Sequence, residues 1–296
     1  MSGEVGAVRR FAFPEDGRLD APMRASWRRD GFLILEGFAT RPLCALLRDR
    51  VAELIEDFDP AANRVAFSAA TQSHASEAYF LDSGDKVRFF IEEGAVGPDG
   101  RLDRDKALAI NKIGHALHDL DPIFGPFSRD PRLAETCADL GLADPALVQS
   151  MVICKPPEIG GEVLTHQDAT FLHTDPQSVV GFWLALEDAD RGNGCLFALP
   201  GRHRGPLKRR FRREGDDLRM ELLDPSPWMC DGEVALEVPE GSLVALHGLL
   251  PHRSGPNLGP RPRMAYALHV IDRAATWSPD NWLRRRADDP FRGFDE

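Results

Sequence analysis

The run Thr165-His166-Gln167-Asp168-Ala169-Thr170 puts an imidazole and a carboxylate two residues apart. Along an extended strand successive side chains alternate faces, so His166 and Asp168 point the same way and could share one metal ion. A third ligand must come from elsewhere in the chain. His252, in Leu250-Pro251-His252-Arg253-Ser254-Gly255, offers one just after the apolar run Ser242-Leu243-Val244-Ala245-Leu246, and His247, five residues earlier, competes with it. Two His and one carboxylate leave three positions of an octahedron open, the arrangement that suits non-haem Fe(II) in oxygen chemistry.

His-x-Asp alone is a weak signal in a chain with nine His, and a second copy exists in His173-Thr174-Asp175. Asp175 precedes Pro176, which biases it toward a turn. His166 instead follows Gly160-Gly161 and Glu162-Val163-Leu164 at a predicted strand end, so the first pair is preferred.

The elements that must position these residues can be read in outline. Residues 21–30 predict a short helix leading into the apolar strand Gly31-Phe32-Leu33-Ile34-Leu35. Thr40 is an N-cap, with Pro42 in the first turn. Leu43, Leu47, Val51, Leu54, Ile55 and Phe58 then recur at helical spacing, giving a core-facing helix to about Asp57. Residues 60–105 read as loop with short elements. A helix is expected over Asn111 to Asp119, carrying Lys112, His115 and His118. Asp130-Pro131 opens another, through Leu133, Cys137 and Leu140, and Gly141 stops it. Beyond it come short β-rich runs at 146–154, 179–186, 195–199, 234–238, 242–246 and 264–271, separated by Gly/Pro turns. The expected fold class is mainly β with α: a jelly roll or related barrel core at about 146–272 behind a helix-rich 21–141, in a single domain of 1–296.

A formal charge of −11 argues against nucleic-acid binding. Five scattered Cys with no Cys-x-x-Cys pair fit a reducing compartment and no structural zinc. No run of 18 apolar residues suggests a membrane span, Met1 to Gly6 lack a signal-peptide core, and the chain ends Gly293-Phe294-Asp295-Glu296 rather than in a peroxisomal tripeptide. The expectation is a soluble cytoplasmic protein acting on a small molecule; oligomeric state leaves no trace.

A wider set of runs can be read together: Asn111-Lys112-Ile113-Gly114-His115-Ala116-Leu117-His118, Gln149-Ser150-Met151, Gly160-Gly161-Glu162-Val163, His166-Gln167-Asp168-Ala169, Glu187-Asp188-Ala189, Asn193-Gly194-Cys195-Leu196, Pro200-Gly201 and Thr276-Trp277-Ser278-Pro279. In this order, across roughly residues 27 to 283, they resemble the phytanoyl-CoA dioxygenase family, and within it the phytanoyl-CoA dioxygenase domain-containing branch. The resemblance implies a double-stranded β-helix (jelly roll, cupin-like) with an N-terminal helical shell, Fe(II) and 2-oxoglutarate as cofactor and cosubstrate, and O2 as oxidant. It selects His166, Asp168 and His252 as metal ligands, leaving His247 buried or behind the ligands. It also implies that Lys112, Met151, Trp183, Ser254 and Arg263 contact 2-oxoglutarate, with Arg263 as the carboxylate anchor and Ser254 assisting. The products would be succinate, CO2 and a hydroxylated small organic substrate, acyl or carboxylate-bearing.

Arg261 has the same strand parity as Arg263 but precedes Pro262, whereas Arg263 begins the run Met264-Ala265-Tyr266-Ala267-Leu268. His203 reads as a loop residue. The basic run 207–213 reads as a solvated loop offset by Glu214, Asp216 and Asp217, with recruitment of an anionic substrate as the functional alternative. Two rival classes use the same ligands: a Zn(II)-dependent cupin-like hydrolase, and a metal-binding sensor or interaction module without turnover.

Overall fold

The computed structural model describes residues 8–60, 66–67, 77–97, 101–215 and 217–296. Met1 to Gly6, the end of the Gly94 to Gly100 loop and Asp216 lie outside the described residues.

In chain order the strands begin with β1 (Arg10–Ala12), β2 (Phe32–Glu36), β3 (Ala66–Phe67), β4 (Val87–Glu92), β5 (Ile110–His115) and β6 (Pro145–Lys155). Next come β7 (Val163–His166), β8 (Thr174–Asp175), β9 (Val180–Ala185), β10 (Leu196–Ala198), β11 (Arg209–Glu214) and β12 (Asp217–Leu222). The last are β13 (Val234–Leu236), β14 (Leu243–His247), β15 (His252–Ser254), β16 (Arg263–Asp272) and β17 (Thr276–Trp277). The helices are α1 (Ala21–Asp30), α2 (Arg41–Asp57), α3 (Glu77–Leu81), α4 (Leu117–Leu120), α5 (Phe124–Ser128) and α6 (Pro131–Leu140). A nine-stranded sheet runs β1-β2-β14-β9-β16-β6-β5-β4-β3, and a four-stranded sheet runs β13-β10-β15-β7.

Alternation along the central strands sorts the two faces of the large sheet. Leu243 and Ala245 of β14, Phe182 and Leu184 of β9, and Tyr266, Leu268 and Val270 of β16 pack with Leu47, Val51, Ile55, Leu133 and Cys137 of the helices. Their neighbours Val244, Leu246, Trp183, Ala185, Ala265 and Ala267 face the other way and meet Leu196, Ala198, Val234 and Leu236 of the small sheet. Two sheets closing on one interior, with helices over an outer face, make the double-stranded β-helix. No helix among the described residues is long and apolar enough to cross a membrane.

The expected helices start where their caps are. The Asp20 side chain accepts from Met23 N (2.8 Å), Thr40 Oγ1 from Leu43 N (3.4 Å) and Asp130 Oδ1 from Arg132 N (2.9 Å). Gly31 and Gly141 end α1 and α6 at φ 80° and 101°.

Three expectations are corrected. The helix expected over Asn111 to Asp119 is strand β5 followed by the short α4. Pairing with both β4 and β6 decides this, helped by β-branched Ile110 and Ile113 and by Gly114, a poor helix former. The helix-rich half also supplies β1 to β5 to the large sheet, so the barrel is not confined to about 146–272. Finally, the basic run is strand β11, in a hairpin with β12. A strand so rich in Arg carries no apolar alternation to betray it; cross-strand pairing makes it.

Candidate metal centre and its cavity

His166 ends β7, and Gln167 keeps extended backbone (φ −120°, ψ 135°) before a 3-10 turn opens at Asp168. Alternation therefore carries one residue past the strand and sets the Asp168 carboxylate on the side of the His166 ring. In the β7–β15 ladder His166 lies directly opposite His252. Asp168 Oδ1 is 3.6 Å from His166 Nε2 and 3.6 Å from His252 Nε2. One ligand atom from each of the three falls within 4.8 Å of the others, the one such group among the described residues.

The second ring nitrogens fix the tautomers. His166 Nδ1 is 2.8 Å from Leu164 O, and His252 Nδ1 is 3.0 Å from Leu250 O. With Nδ1–H donating to those carbonyls, each Nε2 presents a lone pair toward Asp168. Burial lowers the His252 pKa to about 4 despite the facing carboxylate, so its ring is neutral at pH 7, the form a metal requires. Burial alone would raise the Asp168 pKa; the imidazoles of His252, His269 and His166 around the carboxylate outweigh it and hold the carboxyl well below its usual range.

The three side chains open onto a cavity of about 200 Å³ that Lys112, Met151, Trp183, Ser254 and Arg263 also line. Arg263 begins β16 on the barrel-facing side and is 1% exposed, yet its Nε and Nη1 have no hydrogen-bond partner among the described residues. Its guanidinium carbon sits 5.3 Å from the Trp183 ring. Burial lowers its pKa to about 10, leaving it cationic at neutral pH. Lys112 Nζ lies 4.8 Å from the Phe90 ring and 5.6 Å from that of Phe80, and burial brings its pKa to about 7.

Most of the other candidates lie elsewhere. Arg261 is exposed outside β16 and pairs with Asp190. His247 is half-buried, its ring against Trp27 and His203 (centroids 5.8 and 5.0 Å) rather than behind the metal ligands, which corrects its expected place. His203 sits in a 3-10 turn, buried beside Gly31, and does not line this cavity. Asp175 is exposed in β8, paired with Thr276, so the second His-x-Asp takes no part. His118 is buried with Ser150 as its partner at 2.8 Å and does not line the cavity, whereas His115, 2.8 Å from Ser83, does line it. In the basic hairpin, Arg210 and Arg212 pair with Asp280, Arg212 also with Glu221, and Lys208 with Asp224. Asp216, one of the acids expected to offset the run, lies outside the described residues, and the hairpin turns Phe211 and its register partner Met220 into the cavity wall.

Sequence reasoning missed three residues here. Lys155 is the cross-strand partner of Arg263 and lines the same cavity, with its pKa lowered by burial to about 7. His269 projects from the same face of β16 as Arg263, and its Nε2 is 3.5 Å from Asp168 Oδ2. Gly181, opposite His269 in the β9–β16 ladder, is so near that an added Cβ would lie 2.9 Å from Asp168 Oδ2. Strand parity from Arg263 would have pointed to His269; no local signal marks the others.

The family model for phytanoyl-CoA dioxygenase (PhyH) matches residues 27–265. The chain is 45% identical over 275 residues to phytanoyl-CoA dioxygenase 1 of Oryza sativa subsp. japonica, covering 92% of this chain and 96% of that protein. It is 42% identical over 275 residues to phytanoyl-CoA dioxygenase domain-containing protein 1 of Rattus norvegicus, covering 90% and 94%. Among solved structures, EctD from S. alaskensis with 2-oxoglutarate and 5-hydroxyectoine aligns with a TM-score of 0.63 at 20% identity, over 94% of this chain and 88% of that one, a likeness of fold. By the span of the family match and the identity to these relatives, the chain belongs to the phytanoyl-CoA dioxygenase family.

Proposed function

We propose that the chain, working as one domain over residues 1–296, is an Fe(II)- and 2-oxoglutarate-dependent dioxygenase that hydroxylates a small organic substrate. In this reading His166, Asp168 and His252 hold Fe(II), while Lys112, Met151, Trp183, Ser254 and Arg263 hold 2-oxoglutarate. The observation that carries it is the Arg263 guanidinium, buried with unpaired donors in the same cavity as two convergent imidazoles and a carboxylate. An isolated buried cation costs several kcal/mol, and a dicarboxylate cosubstrate would neutralise it with a bidentate contact. Activation of water at a zinc ion does not by itself call for such a cation.

When bound, Fe(II) and 2-oxoglutarate supply the oxidising chemistry: decarboxylation to succinate and CO2 coupled to insertion of oxygen from O2 into a C–H bond. The protein's part is geometry and dryness. Leu164 O and Leu250 O hold the two imidazoles in their metal-binding tautomers. Arg263, held against Trp183, would take the distal carboxylate, and Phe171, Phe211, Met220 and Trp282 give the cavity apolar walls. Four buried free thiols, Cys44, Cys137, Cys154 and Cys195, support the cytoplasm as the proposed setting.

Anaerobic titration with Fe(II) and then 2-oxoglutarate tests the proposal. A weak visible charge-transfer band, followed by succinate when O2 is admitted, is the expected result. A band without succinate under any substrate would favour the sensor, and no band with Zn(II)-supported hydrolysis would overturn the oxygenase. Gly181→Ala supplies a steric check. Its methyl would press on Asp168 Oδ2, so Fe(II) binding should weaken roughly fivefold to tenfold with circular dichroism unaltered. Unaltered binding would mean that Asp168 does not need this position.

A further inference from the structure

We infer that His269 is a positioning residue for Asp168, taking the outer carboxylate oxygen so that the inner one alone faces the metal; the inference rests on the Fe(II) reading above. The two oxygens of Asp168 have different surroundings. Oδ1 stands 3.6 Å from both ligand imidazoles. Oδ2 points away from them, is buried, and has His269 Nε2 as its near polar neighbour at 3.5 Å. A separation of 3.5 Å is long for a hydrogen bond, so the contact in this structure is an approach that a small ring movement closes.

Three features show that the approach is built rather than incidental. Gly181 leaves open the space between them: a Cβ there would lie 2.9 Å from Asp168 Oδ2 and 3.5 Å from His269 Nε2. The β16–β6 register shifts between His269 and Val270, an irregularity of the kind that re-aims a side chain beside a functional site. The other ring nitrogen, Nδ1, is buried with no partner among the described residues, so no second bond competes for the ring.

An ionised carboxylate oxygen left unbonded in a dry interior is costly, and the imidazole N–H is the donor placed to relieve it. The consequence reaches the metal. A carboxylate with both oxygens free can chelate through both and occupy a second coordination position. Held at Oδ2, it binds through Oδ1 only, and the positions needed by cosubstrate and O2 stay open.

The test is Fe(II) binding under anaerobic conditions, followed by tryptophan fluorescence, since Trp183 and Trp282 line the cavity. His269→Leu should weaken binding about tenfold or more, whereas His269→Gln, which restores an N–H donor, should return it to within about threefold of the parent. The 2-oxoglutarate charge-transfer band should shift in the Leu variant and return in the Gln variant. Far-UV circular dichroism and melting temperature identify any variant that fails to fold. Leu binding within about twofold of the parent, or Gln no better than Leu, would overturn the inference. If the parent chain binds no Fe(II), the oxygenase reading falls and this inference with it. Parent binding with unaltered variants removes this inference alone.

Discussion

Asp168→Ala is expected to abolish Fe(II)-dependent succinate formation, while Asp175→Ala keeps at least a substantial fraction of it. Asp168 supplies the carboxylate within 3.6 Å of both imidazoles, so its loss leaves two uncharged ligands to hold a divalent ion in a buried site. Asp175 carries the same local motif but is exposed on β8, opposite Thr276, and lines no part of the cavity. Chromatographic succinate measurement on both variants, each verified as folded by circular dichroism, distinguishes them. Equal loss in both would remove the ligand assignment.

The proposed cosubstrate anchor, Arg263, carries the second large effect. Arg263→Met should weaken 2-oxoglutarate binding more than about a hundredfold, because two charge-assisted hydrogen bonds of about 1.5–3 kcal/mol each disappear from a dry pocket. Arg263→Lys keeps the charge but loses the planar fork, and a loss of about one such bond corresponds to roughly tenfold. Arg261→Lys should change little, since Arg261 is exposed and already paired with Asp190. Calorimetry of 2-oxoglutarate binding to the metal-loaded variants decides this, with Fe(II) affinity as the control. A larger penalty at position 261 than at 263 would overturn the assignment.

The parts of the fold readable in advance share one property: their signals lie within a few residues. The caps Thr40 and Asp130, the prolines behind them and the glycine at 141 bound helices that begin and end where expected. The strands at 180–185, 243–247 and 263–272 were apolar enough to read directly. The segment at 110–115 reads as a helix in sequence because its apolar spacing suits a helix turn as well as a strand, and its neighbours β4 and β6 decide between them. The hairpin at 209–222 was missed because its strands are held by cross-strand pairing and by carboxylates such as Asp280, far away in sequence.

The amino-acid sequence by itself determined which residues could do chemistry: His166 and Asp168 by strand alternation, and Arg263 by the family resemblance, with its place at the head of an apolar strand preferring it to Arg261. Tertiary structure alone decided which of them meet. Placing His252 opposite His166 is a property of the β7–β15 register, and bringing His269 and Gly181 to the far side of Asp168 is a property of the β9–β16 register. A slip of one residue in either ladder would turn those side chains to the opposite face. Such registers are set by packing summed over both sheets and the helices behind them, and no short stretch of sequence contains that sum.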